Sequence, residues 1–125
     1  MKKTINVPGA PLPIAQYSQA VMAGNTLYVS GQIPMDPETG KLVEGGAADQ
    51  ARQALENIGA ILKGAGMDFG NIVKCTIFLS DMSLFKEVNE VYGPYFPKDP
   101  PAREAVAVKG LPMGVDVEIS CIAAQ

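Results

Sequence analysis

The sequence predicts an α+β domain, a five- or six-stranded sheet with two helices on one of its faces. Two observations carry this. Short runs in which apolar residues alternate with polar ones, the period of a strand, come before, between and after two segments whose apolar residues follow the helical period. Turn residues separate the runs in the order β-β-β-α-β-α-β-β, with no internal repeat or linker. Composition sets the scale. The 125 residues are 47% hydrophobic and 18% charged, a globular balance in one domain over 1–125. A chain of this length buries roughly two thirds of its unfolded surface.

Residues 2–6 fit a short edge strand. Val7 to Pro13 holds three prolines, which lack the amide donor a sheet needs, so an ordered loop is expected there and delivers Tyr17. Ser18 to Ala23, the turn Gly24-Asn25 and Thr26 to Ile33 form a hairpin. In its second arm Leu27, Val29 and Ile33 share one face, and Tyr28, Ser30 and Gln32 the other. Gly31 interrupts this arm. An interior glycine marks a bulge, a packing contact or a close backbone approach, and in the last case its amide is a candidate ligand contact.

The first helix spans about Gly46 to Lys63, with an apolar stripe running from Ala47 through Leu55 and Ile58 to Leu62, and Gly64 and Gly66 as the stop. Asn71 to Ser80 is a strand whose inner face is Val73, Cys75, Ile77 and Leu79. Asp81 or Ser83 caps a second helix bearing Leu84, Phe85, Val88, Val91 and Tyr92. Asn89, a poor helix former, sits inside it as either a solvated residue or a polar group aimed at a site. Ser83-Leu84-Phe85-Lys86 matches S-x-x-K without any companion motif, so a helix start is the better reading.

Two alternating runs close the chain on either side of a Gly/Pro loop. In the first, Val106 and Val108 are expected inside, and Arg103, Ala105 and Ala107 outside. In the second, Val115, Val117, Ile119 and Cys121 face inward, and Asp116, Glu118 and Ser120 outward. This places Arg103 and Glu118 on one outer face, as a solvated ion pair or as a guanidinium and a carboxylate able to bind a small acid and activate water.

Several chemistries are excluded. With no histidine, Ser-His-Asp, Cys-His and histidine-built metal machinery is absent. Cys75 and Cys121 are too far apart for a paired zinc motif and read as buried, reduced thiols of a cytoplasmic protein. No apolar run reaches membrane-spanning length. Net charge −3 without a basic stripe argues against nucleic acid as a partner.

The chain resembles the YjgF/YER057c/UK114 (Rid) family, and within it the RidA-type 2-iminobutanoate/2-iminopropanoate deaminases. The resemblance rests on Ala15 to Ala20, Tyr28-Val29-Ser30-Gly31-Gln32-Ile33-Pro34, Gln50 to Asn57, Asn89 to Tyr92, and Pro101-Ala102-Arg103 through Glu118-Ile119. It implies a chorismate-mutase-like fold with a mixed sheet, another strand between the last two, and a homotrimer with sites in the clefts between subunits. By motif match the site residues are Tyr17, Ser30, Gly31, Asn89, Arg103 and Glu118, with Arg103 and Glu118 catalytic and no metal or cofactor. Many relatives carry cysteine where this chain has Ala105, which excludes a thiol nucleophile there.

The implied reaction is hydrolysis of a reactive 2-imino acid to a 2-keto acid and ammonia. Arg103 suits the carboxylate, Glu118 a water, and Tyr17 and Asn89 the orientation of substrate. A Glu118 beside a free arginine would be a weakened base. Two other readings stay open: a trimer that only binds small carboxylates or keto acids, and a translation inhibitor, ribonuclease or chaperone.

Overall fold

The computed structural model describes all 125 residues. It contains β1 (Lys2–Ile5), β2 (Ala20–Ala23), β3 (Thr26–Gln32), α1 (Ala47–Gly64), β4 (Ile72–Leu79), α2 (Phe85–Tyr92), β5 (Ala102–Ala107) and β6 (Val117–Ala124). The strands form one mixed sheet in the order β1-β2-β3-β6-β4-β5. Every pairing is antiparallel except β4 with β5. The expected element order and the two-helix layer are present.

The layer forms because both helices have one apolar stripe and the sheet one apolar face. Leu55, Ile58, Ile61 and Leu62 of α1 and Val88 and Tyr92 of α2 pack on Leu27, Val29, Cys75, Ile77, Leu79, Val117, Ile119 and Cys121, all buried. Helix α1 stops at Gly66, whose φ of +74° admits hydrogen bonds from Gly66 N to Lys63 O and from Met67 N to Leu62 O. The β2–β3 turn places Gly24 at φ +60°, the first position of a tight hairpin turn.

Three side-chain bridges tie loops to this layer. Gln19, buried in the interior, accepts from Val7 N and donates from Nε2 toward the carbonyls of Val7, Ala10 and Pro11, so the proline-rich loop has a fixed path. Asn57, also buried, donates to the carbonyls of Ile33 and Met35 and holds the chain leaving β3 against α1. Gln50 accepts from Asp116 N just before β6.

One feature implied by the resemblance is present, and three expectations about which way residues face are corrected. Strand β4 lies between β6 and β5, so the last two strands do not pair, as the family resemblance had implied. Strand β5 is turned over relative to the face assignment. Its parallel register sets Arg103 beside Cys75 and Ala105 beside Ile77, on the helix-covered face, and leaves Val106 outward and 42% exposed. Arg103 and Glu118 therefore lie on opposite faces. The run Ala102 to Val108 is apolar on both sides and at the sheet edge, so alternation could not choose its inner face.

A register shift between Ile72 and Lys74 turns Ile72 inward and Val73 outward, where it is 51% exposed. A second shift between Val29 and Gln32 turns Gln32 inward. Both are bulges, which change the side that following residues face.

We expect Leu55→Ala, at the centre of α1, to lower unfolding free energy by about 2–5 kcal/mol, the range for a fully buried leucine. Urea denaturation checks this; a loss below 1 kcal/mol would contradict the core described.

Candidate functional site

The predicted residues fall into two separate groups. Tyr17, Ser30, Gly31 and Glu118 line one cleft of about 520 Å³. Asn89 and Arg103 line another, of about 460 Å³, with Tyr92, Phe96 and Pro101.

The first group is built on the bulge. Val29 faces Cys121 and Gln32 faces Ile119, so Ser30 and Gly31 together oppose Ser120 alone. The extra residue breaks the ladder beside Glu118. The Ser30 hydroxyl donates to Ser18 O at 2.6 Å and its amide to Gln19 O at 2.9 Å, which locks the bulge to the segment entering β2. Glycine at 31 leaves room for the Glu118 carboxylate. A Cβ on it would collide with Oε2 of Glu118 and come within 2.9 Å of its Cδ.

The Glu118 carboxylate lies in the space a side chain at 31 would fill. It has no hydrogen-bond partner and no cation within 4.0 Å in its own chain. Burial raises its pKa above the ordinary glutamate value. The expectation that an adjacent arginine weakens it as a base is corrected for the single chain, since Arg103 is on the other face.

The second group is built on α2. Arg103 Nη1 donates to Asn89 Oδ1 at 2.6 Å, and its guanidinium carbon stands 4.8 Å from the Tyr92 ring centre and 5.5 Å from that of Phe85. The aromatic faces favour the cation and Asn89 sets its rotation. No carboxylate of the chain neutralises it: the ion pairs are Arg52–Asp49 and Lys74–Glu104. The result is a preoriented guanidinium with donors to spare, suited to a planar carboxylate.

The sequence reading treated Asn89 as ambiguous and gave Tyr92 and Phe85 no role beyond the core. Their helical spacing, with Asn89 one turn after Phe85, was the available signal. The reading also missed the apolar lining of the first cleft, Leu12, Ile14, Ile33, Met35 and Met113, because exposed apolar residues in loops have no periodicity. Cys75 and Cys121 are free and buried, directly opposite across β4 and β6.

The family model described as Endoribonuclease L-PSP matches residues 8–125. The chain belongs to that family. It is 52% identical over 125 residues to the 2-iminobutanoate/2-iminopropanoate deaminase of Rattus norvegicus, covering 100% of this chain and 91% of the relative. The crystal structure of the YJGF gene product from E. coli matches with a TM-score of 0.94 at 43% identity, over 98% of each chain. That of E. coli TdcF with bound serine matches with a TM-score of 0.94 at 40% identity, again over 98% of each. The mixed six-stranded sheet with two helices is thus the YjgF-type fold, as expected.

Gly31→Ala should leave the fold intact and push the Glu118 carboxylate toward solvent, because the obstructed group is the end of a flexible side chain. A ¹³C titration of the side-chain carboxyls should then show the Glu118 pKa falling toward the ordinary glutamate range. An unchanged pKa would contradict the packing of Glu118 over Gly31.

Proposed function

We propose that the protein hydrolyses 2-imino acids such as 2-iminobutanoate and 2-iminopropanoate to 2-keto acids and ammonia, at sites assembled between copies of the chain. The observation that carries the proposal is the pair of incomplete half-sites. An oriented guanidinium without a carboxylate and a half-buried carboxylate without a cation lie on opposite faces of one sheet. Naming of full-length relatives as 2-iminobutanoate/2-iminopropanoate deaminases supports the choice of reaction.

Two half-sites on different surfaces meet when one copy sets its β5 edge across the outer sheet face of the next. Such a contact is heterologous and closes into a ring, here a homotrimer with three sites. The outer face suits it, since Tyr28, Val73 and Val106 are exposed apolar residues beside Thr76, Phe78, Ser120 and Ile122. The 125 residues act as one domain, in the cytoplasm. No helix is long and apolar enough to cross a membrane.

In the reaction, Arg103 of one copy binds the substrate carboxylate with two parallel hydrogen bonds, aided by the Gly31 amide of the next, which the Ser30–Ser18 hydrogen bond holds in place. Tyr17 closes the cleft over the imine. Glu118 takes a proton from water as the oxygen bonds to the imine carbon and the C=N electron pair moves to nitrogen. Glu118 passes that proton to nitrogen, giving the neutral carbinolamine, and then relays the hydroxyl proton to nitrogen as the C=O bond forms and the C–N bond breaks, so that ammonia leaves and Glu118 is ionised again. Water is the only other reactant. Partial burial keeps Glu118 basic enough for the first transfer and acidic enough for the second.

A binder of small carboxylates would use the Arg103 half-site in the same way, and the serine bound to TdcF keeps that reading in view. It leaves unexplained a half-buried Glu118 without a partner. The family description names an endoribonuclease, but net charge −3 and the lack of histidine give RNA phosphates little to bind.

Generating 2-iminobutanoate with a threonine dehydratase and following imine decay tests the proposal. Arg103→Ala should lower kcat/KM about 100-fold, the scale of lost charge-assisted hydrogen bonds. The wild-type rate should rise with pH as Glu118 ionises, and Glu118→Gln should remove that limb. Equal decay with and without wild-type protein would refute deamination and leave the binder.

A further inference from the structure

The cleft beside Glu118 is larger and more apolar than a three- or four-carbon imino acid requires. The seven non-hydrogen atoms of 2-iminobutanoate, at no more than about 30 Å³ each, fill at most about 210 Å³. In the single chain, before the next copy brings Arg103 to it, the cleft measures about 520 Å³. Its polar groups, Ser30, Gly31 and Glu118, are gathered on the bulge, while Leu12, Ile14, Ile33, Met35 and Met113 line the remainder.

The walls are held in place. Leu12 and Ile14 belong to the loop whose carbonyls Gln19 pins, and Ile33 and Met35 to the segment whose carbonyls Asn57 pins. Leu12 is 63% and Ile14 86% exposed, so neither serves the core of its own chain.

Met113 is different in kind. It lies in the short turn Pro112–Gly114 before β6, at φ +57° and ψ +19°, and is 61% exposed. Apart from Asp99 it is the only non-glycine residue at positive φ. An unbranched thioether in a conformation unfavourable for side-chain-bearing residues, extended over a cleft instead of packed into the core, points to a role in that cleft.

We infer that this apolar region receives the substrate's own side chain, and that Met113 is a specificity-determining residue favouring 2-imino acids with branched aliphatic or thioether side chains over those with methyl or ethyl. The inference rests on the deaminase reading for its reaction, but the pocket can be tested without it. Side chains from alanine-sized to leucine-sized fit in order of increasing contact with Leu12, Ile14 and Met113. Each added methylene removed from water contributes roughly fourfold in binding.

The experiment uses an amino acid oxidase to release imines from alanine, 2-aminobutyrate, leucine and methionine, with semicarbazide trapping to follow their decay. Alongside it, calorimetry measures binding of pyruvate and 4-methyl-2-oxopentanoate. For the wild type, kcat/KM should be at least about 10-fold higher for the leucine-derived imine than for the alanine-derived one. Met113→Ala should cut that ratio about fourfold. Met113→Gly, which also relieves the positive φ, should cut it similarly and controls for misfolding.

Turnover with a flat or inverted order of side chains would overturn the inference and leave the deaminase reading standing. No turnover of any imine, with keto-acid affinity still graded by size and flattened in Met113→Ala, would overturn the deaminase reading and sustain the pocket.

Discussion

Neighbouring strands in register send paired residues to the same face of a sheet, and the parallel register of β5 on β4 puts Arg103 beside Cys75. The antiparallel register of β6 on β4 puts Glu118 beside Phe78, three residues further along β4 and therefore on the other face. No side-chain rotation brings the two groups together through a packed sheet. The guanidinium and the carboxylate that together suit a small acid and a water are separated by their own scaffold. The remaining features of the site depend on that separation, including the free guanidinium of β5 held against α2, the partnerless carboxylate over Gly31 and the apolar outer face.

Each half-site is held by groups with no direct chemical part. Tyr92 presents its ring to Arg103 while its buried hydroxyl stays in the core near Cys75. Gln19 and Asn57 fix the two segments that wall the Glu118 cleft, and Ser30 spends its proton on Ser18 O. Catalytic geometry depends on such supporting contacts, because a loosely held group loses the advantage of position. The proposed assembly would bring Arg103 of one copy toward Glu118 of the next, and its positive charge would draw the Glu118 pKa back down from the value burial sets.

The sequence was most legible where periodicity met burial. Helix α1, the inner residues Cys75, Ile77 and Leu79 of β4, and Val117 to Cys121 of β6 follow from spacing alone. The bulge at Ser30-Gly31 was legible as an interior glycine, though its effect on Gln32 was not. Strand β5 defeated the pattern, because Arg103-Glu104-Ala105-Val106-Ala107 offers small apolar residues to both faces and pairs in parallel with a strand distant in sequence. Family resemblance named the site residues; periodicity then placed Arg103 on the wrong face. The cleft lining was silent in sequence, since Leu12, Ile14 and Met113 lie in loops that only tertiary contacts position.

The central claim is that one copy supplies Arg103 and the next supplies Glu118 to each site. Subunit complementation tests it most directly. Arg103→Ala and Glu118→Ala chains, each inactive alone, would be co-expressed and the mixed assemblies assayed for imine decay. Random assortment leaves one site in four with both groups intact, so activity should return to roughly a quarter of the wild-type value. Mixed assemblies as inactive as their parents would contradict a site shared between copies.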